Sequence, residues 1–272
     1  MMTVSVESDS CTRCGICSTI CPMGIITPAD KDTLPGIIPG MESSCIACGQ
    51  CEAFCKTGAI VVDKGSGHVV QKAWDGSGIT PALLDTYMKS RRSIRQFKND
   101  PVSRETILAI LDICRYAASG CNGQPVEWLV IHKPEEVHRI AELTIEWMRT
   151  LVNTDHPLSP FVPGLISGWE AGIDVICRGA PHLLIPHIEE KNQMAYTDGI
   201  IALTHADLAA PAFGVGMCWA GFVAAASGSY APLMELYNLP SGRIPLYALM
   251  FGYPKYKPYH IPERKKLQVI WH

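Results

Sequence analysis

The chain lacks the features by which several protein classes are usually recognised. Its 272 residues carry a net charge of -3, so there is no excess of basic residues to neutralise nucleic-acid phosphates. No Gly-x-Gly-x-x-Gly pattern follows an apolar run, and no His-Glu-x-x-His motif is present. These absences argue against a Rossmann dinucleotide site and against a zinc-protease helix. Nucleic acid is therefore not an expected partner.

The sequence also lacks a long, uninterrupted apolar segment. The most apolar stretch, residues 200–222, contains His205, Asp207 and Pro211, which makes it unsuitable as a membrane span. The first ten residues, MMTVSVESDS, have neither the charged region nor the apolar region of a secretory signal. We therefore expect no membrane span. A thiol-rich chain of this kind is kept reduced in the cytoplasm, where we expect the protein to be located.

Cysteine, in contrast, is abundant, and eight of the twelve cysteines follow one repeated pattern. The pattern Cys-x-x-Cys-x-x-Cys-x-x-x-Cys occurs at residues 11–21 and again at residues 45–55. This spacing is typical of 4Fe-4S clusters and predicts a protein that transfers electrons. A zinc site and a disulfide framework are the alternatives, and this spacing favours them less. The predicted metal ligands are Cys11, Cys14, Cys17, Cys21, Cys45, Cys48, Cys51 and Cys55.

The similarity between the two runs extends beyond the cysteines. Residues 11–26 and 45–60 share a glycine after the second cysteine and a Gly-x-Ile ending, so residues 1–62 resemble a two-cluster bacterial ferredoxin. In one departure from that family, Lys56 stands where a proline usually follows the fourth cysteine, and a cation there raises the potential of a nearby cluster. The resemblance implies crossed ligation, with Cys11, Cys14, Cys17 and Cys55 at one cluster and Cys45, Cys48, Cys51 and Cys21 at the other.

A second domain is predicted after a polar, glycine-rich linker at residues 63–81. The repeating pattern of apolar residues in the remainder, residues 82–272, alternates between helical and strand periods, which indicates a mixed α and β domain. The predicted helices lie at about 82–92, 103–118, 134–152 and 195–214, and the predicted strands at 128–133, 182–188 and 246–252.

An arginine-rich segment follows the first of these helices. Residues 91–95 read Arg-Arg-Ser-Ile-Arg, and guanidinium groups match the oxygens of a phosphate. The alternative is a solvated basic helix end, which is common because cations are favourable there. Iron-sulfur clusters pass single electrons, so an enzyme that delivers electron pairs needs a converter such as a flavin. The segment is therefore a candidate site for a flavin phosphate.

Several motifs of the second domain together resemble the FMN-dependent nitroreductase family. Their order and spacing match across residues 82–272, which implies an α+β sandwich and a homodimer with FMN bound at each subunit interface. The motifs are RRSIRQF (91–97), SGCNGQPVEW (119–128), GAPHLLI (179–185), GVGMCWAGF (214–222) and a basic tail after GYP (252–254).

The resemblance also implies roles for individual residues. The arginine-rich segment and the basic tail would hold the FMN phosphate and ribityl chain, and Arg95 would reach the pyrimidine edge. The loop with Asn122 and Gln124 would contact the polar edge of the ring, and the turn at Ala220 and Gly221 would face flavin N5. The candidate cofactor-binding residues are Arg91, Arg92, Ser93, Arg95, Asn122, Gln124, Ala220, Gly221, Arg264 and Lys266, with Lys265 as an alternative register.

These inferences predict an iron-sulfur flavoprotein oxidoreductase. Electrons from a ferredoxin or another one-electron donor would pass through two 4Fe-4S clusters to FMN, and then to a small electrophile such as a nitroaromatic or a quinone. The alternative is an electron-transfer module that serves a protein partner and has no small-molecule substrate of its own.

Residues 155–170 contain three prolines and show no clear period. A loop of this length in a compact domain is usually functional or disordered. We expect it to act as a lid, with Phe161 or Trp169 near the flavin. A simple surface loop is the alternative.

Overall fold

A computed structural model describes residues 3–63, 72–192 and 194–272, which separate into two compact units. Unit 1 ends at Ile79 and also contains Cys121–Gly123, and unit 2 comprises Thr80–Gly120 and Gln124–His272. Part of the predicted linker, residues 64–71, lies outside the described residues, so the domain bounds 1–62 and 82–272 stay predictions.

Unit 1 is built from short elements around the two cysteine runs. Strands β1 and β2 pair antiparallel, with Val6 opposite Ile60. Each of its two helices begins directly after a glycine with a positive φ, 74° at Gly15 and 71° at Gly49. Only glycine adopts this conformation at little cost, so the shared glycine sets the same turn in both runs. The elements are β1 (Thr3–Val6), α1 (Ile16–Ile20), α2 (Gln50–Ala53) and β2 (Ile60–Asp63).

A five-stranded antiparallel sheet forms the centre of unit 2, in the order β3-β4-β7-β5, with β6 paired to the end of β4. The strands are β3 (Glu127–Ile131), β4 (His182–Glu189), β5 (Gly216–Trp219), β6 (Arg243–Pro245) and β7 (Leu249–Gly252). The helices are α3 (Pro81–Ser90), α4 (Arg104–Cys114), α5 (Pro134–Thr150), α6 (Val162–Glu170), α7 (Ala195–Ala209), α8 (Gly221–Ser227) and α9 (Ala231–Tyr237).

Helices cover both faces of this sheet. Successive residues of a strand point to opposite faces, and in β4 Leu183 and Ile185 pack in the same core cluster as α5. Leu184, between them, packs in the cluster that contains residues of α4 and α7. Seven of the eight residues of β4 are buried for this reason. The predicted α+β sandwich is confirmed.

All four predicted helices of unit 2 and all three predicted strands are present in the structure, with ends that differ from the predicted ones by up to five residues. Among the described residues, none of the helices has both the length and the apolar character that crossing a bilayer would require. Three of the four cysteines outside the two runs, Cys114, Cys177 and Cys218, are buried, whereas Cys121 is exposed.

The expectation of an irregular segment at residues 155–170 is wrong, because its second half is helix α6. Pro163 lies in the first turn of this helix, where a backbone N–H has no partner within the helix, so proline is well tolerated. The indole of Trp169 stacks on His138 of α5, with ring centroids 5.1 Å apart. Trp169 therefore packs within its own unit. Phe161 is 64% exposed, and its role in a lid stays a prediction.

A buried histidine, His182 at the start of β4, stacks on the half-buried His132. The Nε2 atom of His182 accepts a hydrogen bond from the backbone N–H of Val102 at 2.9 Å, and its Nδ1 lies 2.9 Å from the carbonyl oxygen of His132. Since Nε2 is an acceptor, His182 is the neutral tautomer with its proton on Nδ1. Burial, together with the neighbouring His132, lowers the pKa of His182 to about 4.

We expect this pair to make stability depend on pH between about 6.5 and 4. In the unfolded state His182 takes up a proton below about pH 6.5, whereas in the folded state it stays neutral until about pH 4. Its contribution to the free energy of unfolding is therefore fully present above pH 6.5 and decreases as the pH falls toward 4. The loss should be about 2 to 3 kcal/mol. Denaturant unfolding at several pH values checks this. His182→Asn should remove that part of the pH dependence, and His138→Asn, at an exposed site, should not.

Candidate functional site

Unit 1 contains two cavities, each lined by four of the eight repeated cysteines. Each set takes three thiols from one run and the fourth from the other, which is the grouping that the ferredoxin resemblance implies. Apolar side chains form most of the remaining lining. The first cavity, of about 230 Å³, is lined by Cys11, Cys14, Cys17 and Cys55, and the second, which is narrower, by Cys21, Cys45, Cys48 and Cys51.

The arrangement of the thiols fits a cluster better than the alternatives. In the described part of the chain, no three His, Cys, Asp or Glu side chains converge closely enough to hold a single metal ion. Three thiols from one Cys-x-x-Cys-x-x-Cys run with a fourth from the other run instead match the ligand set of a polynuclear group such as 4Fe-4S. The structure joins none of the twelve cysteines in a disulfide.

The two cavities differ in charge and in exposure. Arg13 and Lys56 both line the first cavity, whereas none of the described residues that line the second is a cation. Cys14 of the first cavity is exposed and Cys51 of the second is buried. Burial raises the pKa of Cys51 to about 11, so a proton must leave this sulfur before it can bind iron as a thiolate. The first site is therefore the more open and the more cationic.

The arginine-rich segment of unit 2 follows α3 and is anchored to the sheet. The backbone N–H of Ile94 donates to the carbonyl oxygen of Met217 at 3.0 Å, and that of Lys98 donates to Tyr253 at 2.8 Å. A Cβ atom added at Gly216 would lie 2.5 Å from the side chain of Ile94, so only glycine allows this close packing. These contacts fix the backbone that carries the arginines.

A cationic cavity of about 370 Å³ lies beside this segment. It brings together Arg91, Arg92 and Arg264, with Lys89 as a fourth cation. Arg264 is separated from the other arginines by most of the unit in sequence, so its place in the lining is a result of folding. Lys266, the second predicted cation of the tail, is not part of this lining.

Two buried nitrogen atoms at this cavity, Arg91 Nη1 and Arg92 Nε, form no well-aligned hydrogen bond with the described residues. Arg91 Nη1 does lie at ion-pair distance from a carboxylate, that of Asp207, so Arg92 Nε is the donor that is left without an acceptor. Buried polar groups normally have partners, and each exception calls for an explanation. Arg92 uses another nitrogen, Nη2, to donate to the carbonyl of Lys89. An anion such as a phosphate would supply the acceptor that Arg92 Nε lacks.

Sequence reasoning missed Asp207 as a partner of Arg91. Its Oδ2 lies 3.3 Å from Arg91 Nη1, which is an ion-pair distance, and accepts a hydrogen bond from Trp219 Nε1 at 3.1 Å. Burial raises the pKa of Asp207, while Trp219 and Arg91 oppose the rise. The sequence offered one signal, which is an acidic residue inside the apolar stretch at residues 200–222.

The three side chains predicted to contact the flavin ring, those of Arg95, Asn122 and Gln124, do not line one common cavity among the described residues. Arg95 is exposed, and Gln124 lines a separate cavity of about 170 Å³ in unit 2. Asn122 belongs to unit 1, where its side-chain nitrogen donates to the carbonyl oxygens of Ile46 and Ala47. The flavin contacts of these residues stay predictions, and one through Asn122 would have to use an atom other than that nitrogen.

The turn at the start of α8 contains Ala220 and Gly221, the two residues whose backbone amides are predicted to face flavin N5. The backbone N–H of Ala220 donates to the carbonyl oxygen of Ala248 at 2.9 Å. This N–H is therefore already used to hold the turn against the segment that leads into β7. Ser93 is half-buried between the arginines. Of the two predicted amides at flavin N5, Gly221 is therefore the better candidate.

Comparisons with known proteins agree with this division of the chain. The sequence model of the 4Fe-4S dicluster domain matches residues 10–60, and that of the nitroreductase family matches residues 88–253. Because the second match spans more than half of the 272 residues, the chain belongs to the nitroreductase family. The predicted combination of a nitroreductase-family domain with an amino-terminal 4Fe-4S dicluster domain is confirmed.

One curated relative and two solved structures illustrate the similarity. A Methanothermobacter thermautotrophicus protein, provisionally named NADH dehydrogenase/NAD(P)H nitroreductase, is 25% identical over 63% of this chain and 77% of its own. A Desulfitobacterium hafniense nitroreductase with bound FMN matches 71% of this chain and 100% of its own, with 21% identity and a TM-score of 0.57. A Bacteroides fragilis nitroreductase with bound FMN has the same coverage, 17% identity and a TM-score of 0.54.

Proposed function

We propose that the protein is an iron-sulfur flavoprotein reductase that takes electrons from a low-potential one-electron donor such as reduced ferredoxin. They would pass by way of two 4Fe-4S clusters and FMN to a small electrophile such as a nitroaromatic or a quinone. The observation that carries this proposal is the pair of four-cysteine cavities in a chain whose remainder belongs to the nitroreductase family. A relay of one-electron centres is useful where electrons arrive singly.

FMN is the proposed resident cofactor of unit 2, and it supplies the conversion between single electrons and electron pairs. We assign its phosphate to the cationic cavity, because Arg91, Arg92 and Arg264 line it together and the buried Nε of Arg92 has no hydrogen-bond acceptor among the described residues. The two solved nitroreductases cited above contain bound FMN. Arg95, Ser93, Gln124, Gly221 and Lys266 remain the proposed contacts of the ribityl chain and the ring.

An anaerobic reductive titration of the purified chain tests the cofactor content. We expect iron and sulfide for two cubanes, one FMN per chain, and uptake of the electrons that these three groups accept together. Turnover of a nitroarene or a quinone by the isolated protein would then support the reductase. Reduction of a protein acceptor alone, with no small-molecule turnover, would contradict it in favour of an electron-transfer module.

A homodimer is also proposed, because unit 2 exposes apolar surface that a second copy would cover. On α3, Leu83 and Leu84 are 56% and 49% exposed. In the tail beyond the last strand, Leu267 and Trp271 are 87% and 88% exposed. Large apolar patches on a protein surface usually mark interaction sites, and these exposed side chains are candidates for one. A second copy of the chain accounts for both surfaces, since a two-fold interface uses the same patch on each subunit.

We expect the double variant Leu83→Glu, Leu84→Glu to dissociate this dimer. Burying a leucine stabilises by about 1.5 to 3 kcal/mol, and a two-fold interface loses each contact twice, so the association constant should fall by roughly 100-fold or more. Light scattering after gel filtration measures the mass. Ile173→Glu, at a residue 58% exposed elsewhere in unit 2, is the control. An unchanged dimer, or equal disruption by Ile173→Glu, would contradict this interface.

A further inference from the structure

Unit 1 contains a three-residue segment, Cys121–Gly123, that is distant in sequence from the cysteine runs. Within it, the side-chain nitrogen of Asn122 donates to the carbonyl oxygen of Ile46 at 3.2 Å and to that of Ala47 at 3.0 Å. Ile46 and Ala47 lie between Cys45 and Cys48, which are two of the four thiols of the second cavity. One amide thus holds two of the three peptides that connect these proposed ligands.

The backbone on both sides of this bridge adopts an uncommon conformation. The φ angles of Ala47, Cys121 and Asn122 are 51°, 50° and 54°, in the left-handed region, which alanine and cysteine rarely adopt and asparagine adopts more readily. Such residues persist where the surrounding structure fixes them, and they cluster at functional sites. The hydrogen bonds of Asn122 are contacts of this fixing kind.

The first cysteine run offers an internal comparison. Arg13 occupies the position of Ala47 and has nearly the same φ, 55°. In the part of the chain that the structure describes, however, no side chain donates to the carbonyl oxygens of Thr12 and Arg13. The two loops are therefore alike in backbone shape, and only the second is held by a side-chain amide.

The consequence follows from the geometry of a peptide. In a planar trans peptide, C=O and N–H point in opposite directions, so the carbonyls that accept from Asn122 direct the N–H groups of Ala47 and Cys48 away from it. A hydrogen bond to the carbonyl fixes the peptide and polarises its N–H. Hydrogen bonds to the sulfurs are among the factors that set the potential of a cluster.

We propose that Asn122 is a positioning residue for the cluster of the second cavity, and that it raises the reduction potential of this cluster by holding the peptides between Cys45 and Cys48. The inference deepens the proposed function and rests on it. It predicts an effect confined to one of two clusters, because the first run has no equivalent of this contact. A general loss of stability would not show that selectivity.

The test uses the full-length protein with its cofactors, in the variants Asn122→Ala and Asn122→Asp. The midpoint potential of each cluster is followed by EPR during potentiometry, and Cys48→Ala, which lacks a ligand of the second cavity, assigns the signals. We expect the reduction equilibrium constant of the second cluster to fall by up to tenfold, about 59 mV for one electron, with no change at the first. The ionised carboxylate that Asn122→Asp introduces cannot donate a hydrogen bond, so the effect of this variant should be at least as large.

Asn153→Ala is the matched control, because Asn153 is also a left-handed asparagine (φ 59°) but is exposed in unit 2. It should shift neither potential. Unchanged potentials in both Asn122 variants, or equal shifts at the two clusters, would overturn the inference. If Asn122→Ala loses iron, selective loss of the second cluster supports the inference and equal loss of both overturns it. A wild-type chain without a second cluster would instead refute the proposed function.

Discussion

Replacing Cys48 with alanine should abolish turnover driven by reduced ferredoxin while leaving the flavin chemistry of unit 2 intact. Cys48 lines the second four-thiol cavity, which belongs to unit 1 and not to unit 2. Loss of a residue that merely supports a metal ligand costs roughly 10- to 100-fold, so loss of a proposed ligand should cost more than 100-fold in the ferredoxin-driven rate. The measurement is the steady-state reduction of a nitroarene.

The same variant separates the relay from the chemistry that follows it. When the protein is reduced chemically, Cys48→Ala should still pass electrons to the nitroarene, because its candidate FMN site, with Arg91 and Arg264, is unchanged. Circular dichroism and FMN content establish that the variant is folded. Cys177→Ala removes a buried thiol that lines neither cluster cavity, so it controls for the loss of a cysteine as such and should keep the ferredoxin-driven rate.

The choice of electron donor tests the proposed relay directly. The Methanothermobacter thermautotrophicus relative carries a name that specifies NADH and NAD(P)H, and hydride donors reduce a flavin without a cluster. We expect the wild-type protein to turn over faster with reduced ferredoxin than with NADH or NADPH. Equal rates with NADPH in the wild type and in Cys48→Ala, and no response of either to ferredoxin, would show that the clusters are not the route of the electrons.

The features that the sequence predicted well depend on local spacing. The cysteine runs identify their eight thiols because an iron-sulfur cluster is bound by residues close together in the chain. The helices and strands of the sandwich followed from the period of their apolar residues. Residues 155–170 were misread because their prolines were counted as breakers, although Pro163 stands in a first helical turn, where proline is compatible with the helix.

Contacts between residues far apart in sequence could not be predicted in the same way. Asp207 and Arg91 meet only when α7 packs near the end of α3, and no spacing rule joins them. Asn122 was assigned to a flavin on the basis of family resemblance, yet its side-chain nitrogen contacts Ile46 and Ala47. The place of Arg264 beside Arg91, in contrast, was expected from the resemblance and is found in the cationic cavity.

Replacing Arg91 with alanine should release FMN during gel filtration. Arg91 lines the cationic cavity, and its Nη1 atom forms no well-aligned hydrogen bond, although the carboxylate of Asp207 lies 3.3 Å away. A charge-assisted contact to a phosphate contributes about 1.5 to 3 kcal/mol. Its loss should raise the dissociation constant of FMN by roughly 10- to 150-fold. Fluorescence titration of the apoprotein with FMN measures the change. Arg149→Ala, which removes an exposed arginine paired with Glu170 at 2.9 Å, is the control and should leave FMN affinity unchanged.

Arg91→Lys distinguishes the proposed phosphate contact from a purely structural ion pair. Lysine keeps a cation for Asp207, whose carboxylate would otherwise lose its partner in a buried place, but it lacks the planar fork that binds two phosphate oxygens at once. If Arg91 binds phosphate, Arg91→Lys should fold like the wild type and still bind FMN more weakly. If Arg91 serves only to pair Asp207, Arg91→Lys should bind FMN as the wild type does. Full FMN occupancy and unchanged affinity in Arg91→Ala would remove this arginine from the cofactor site altogether.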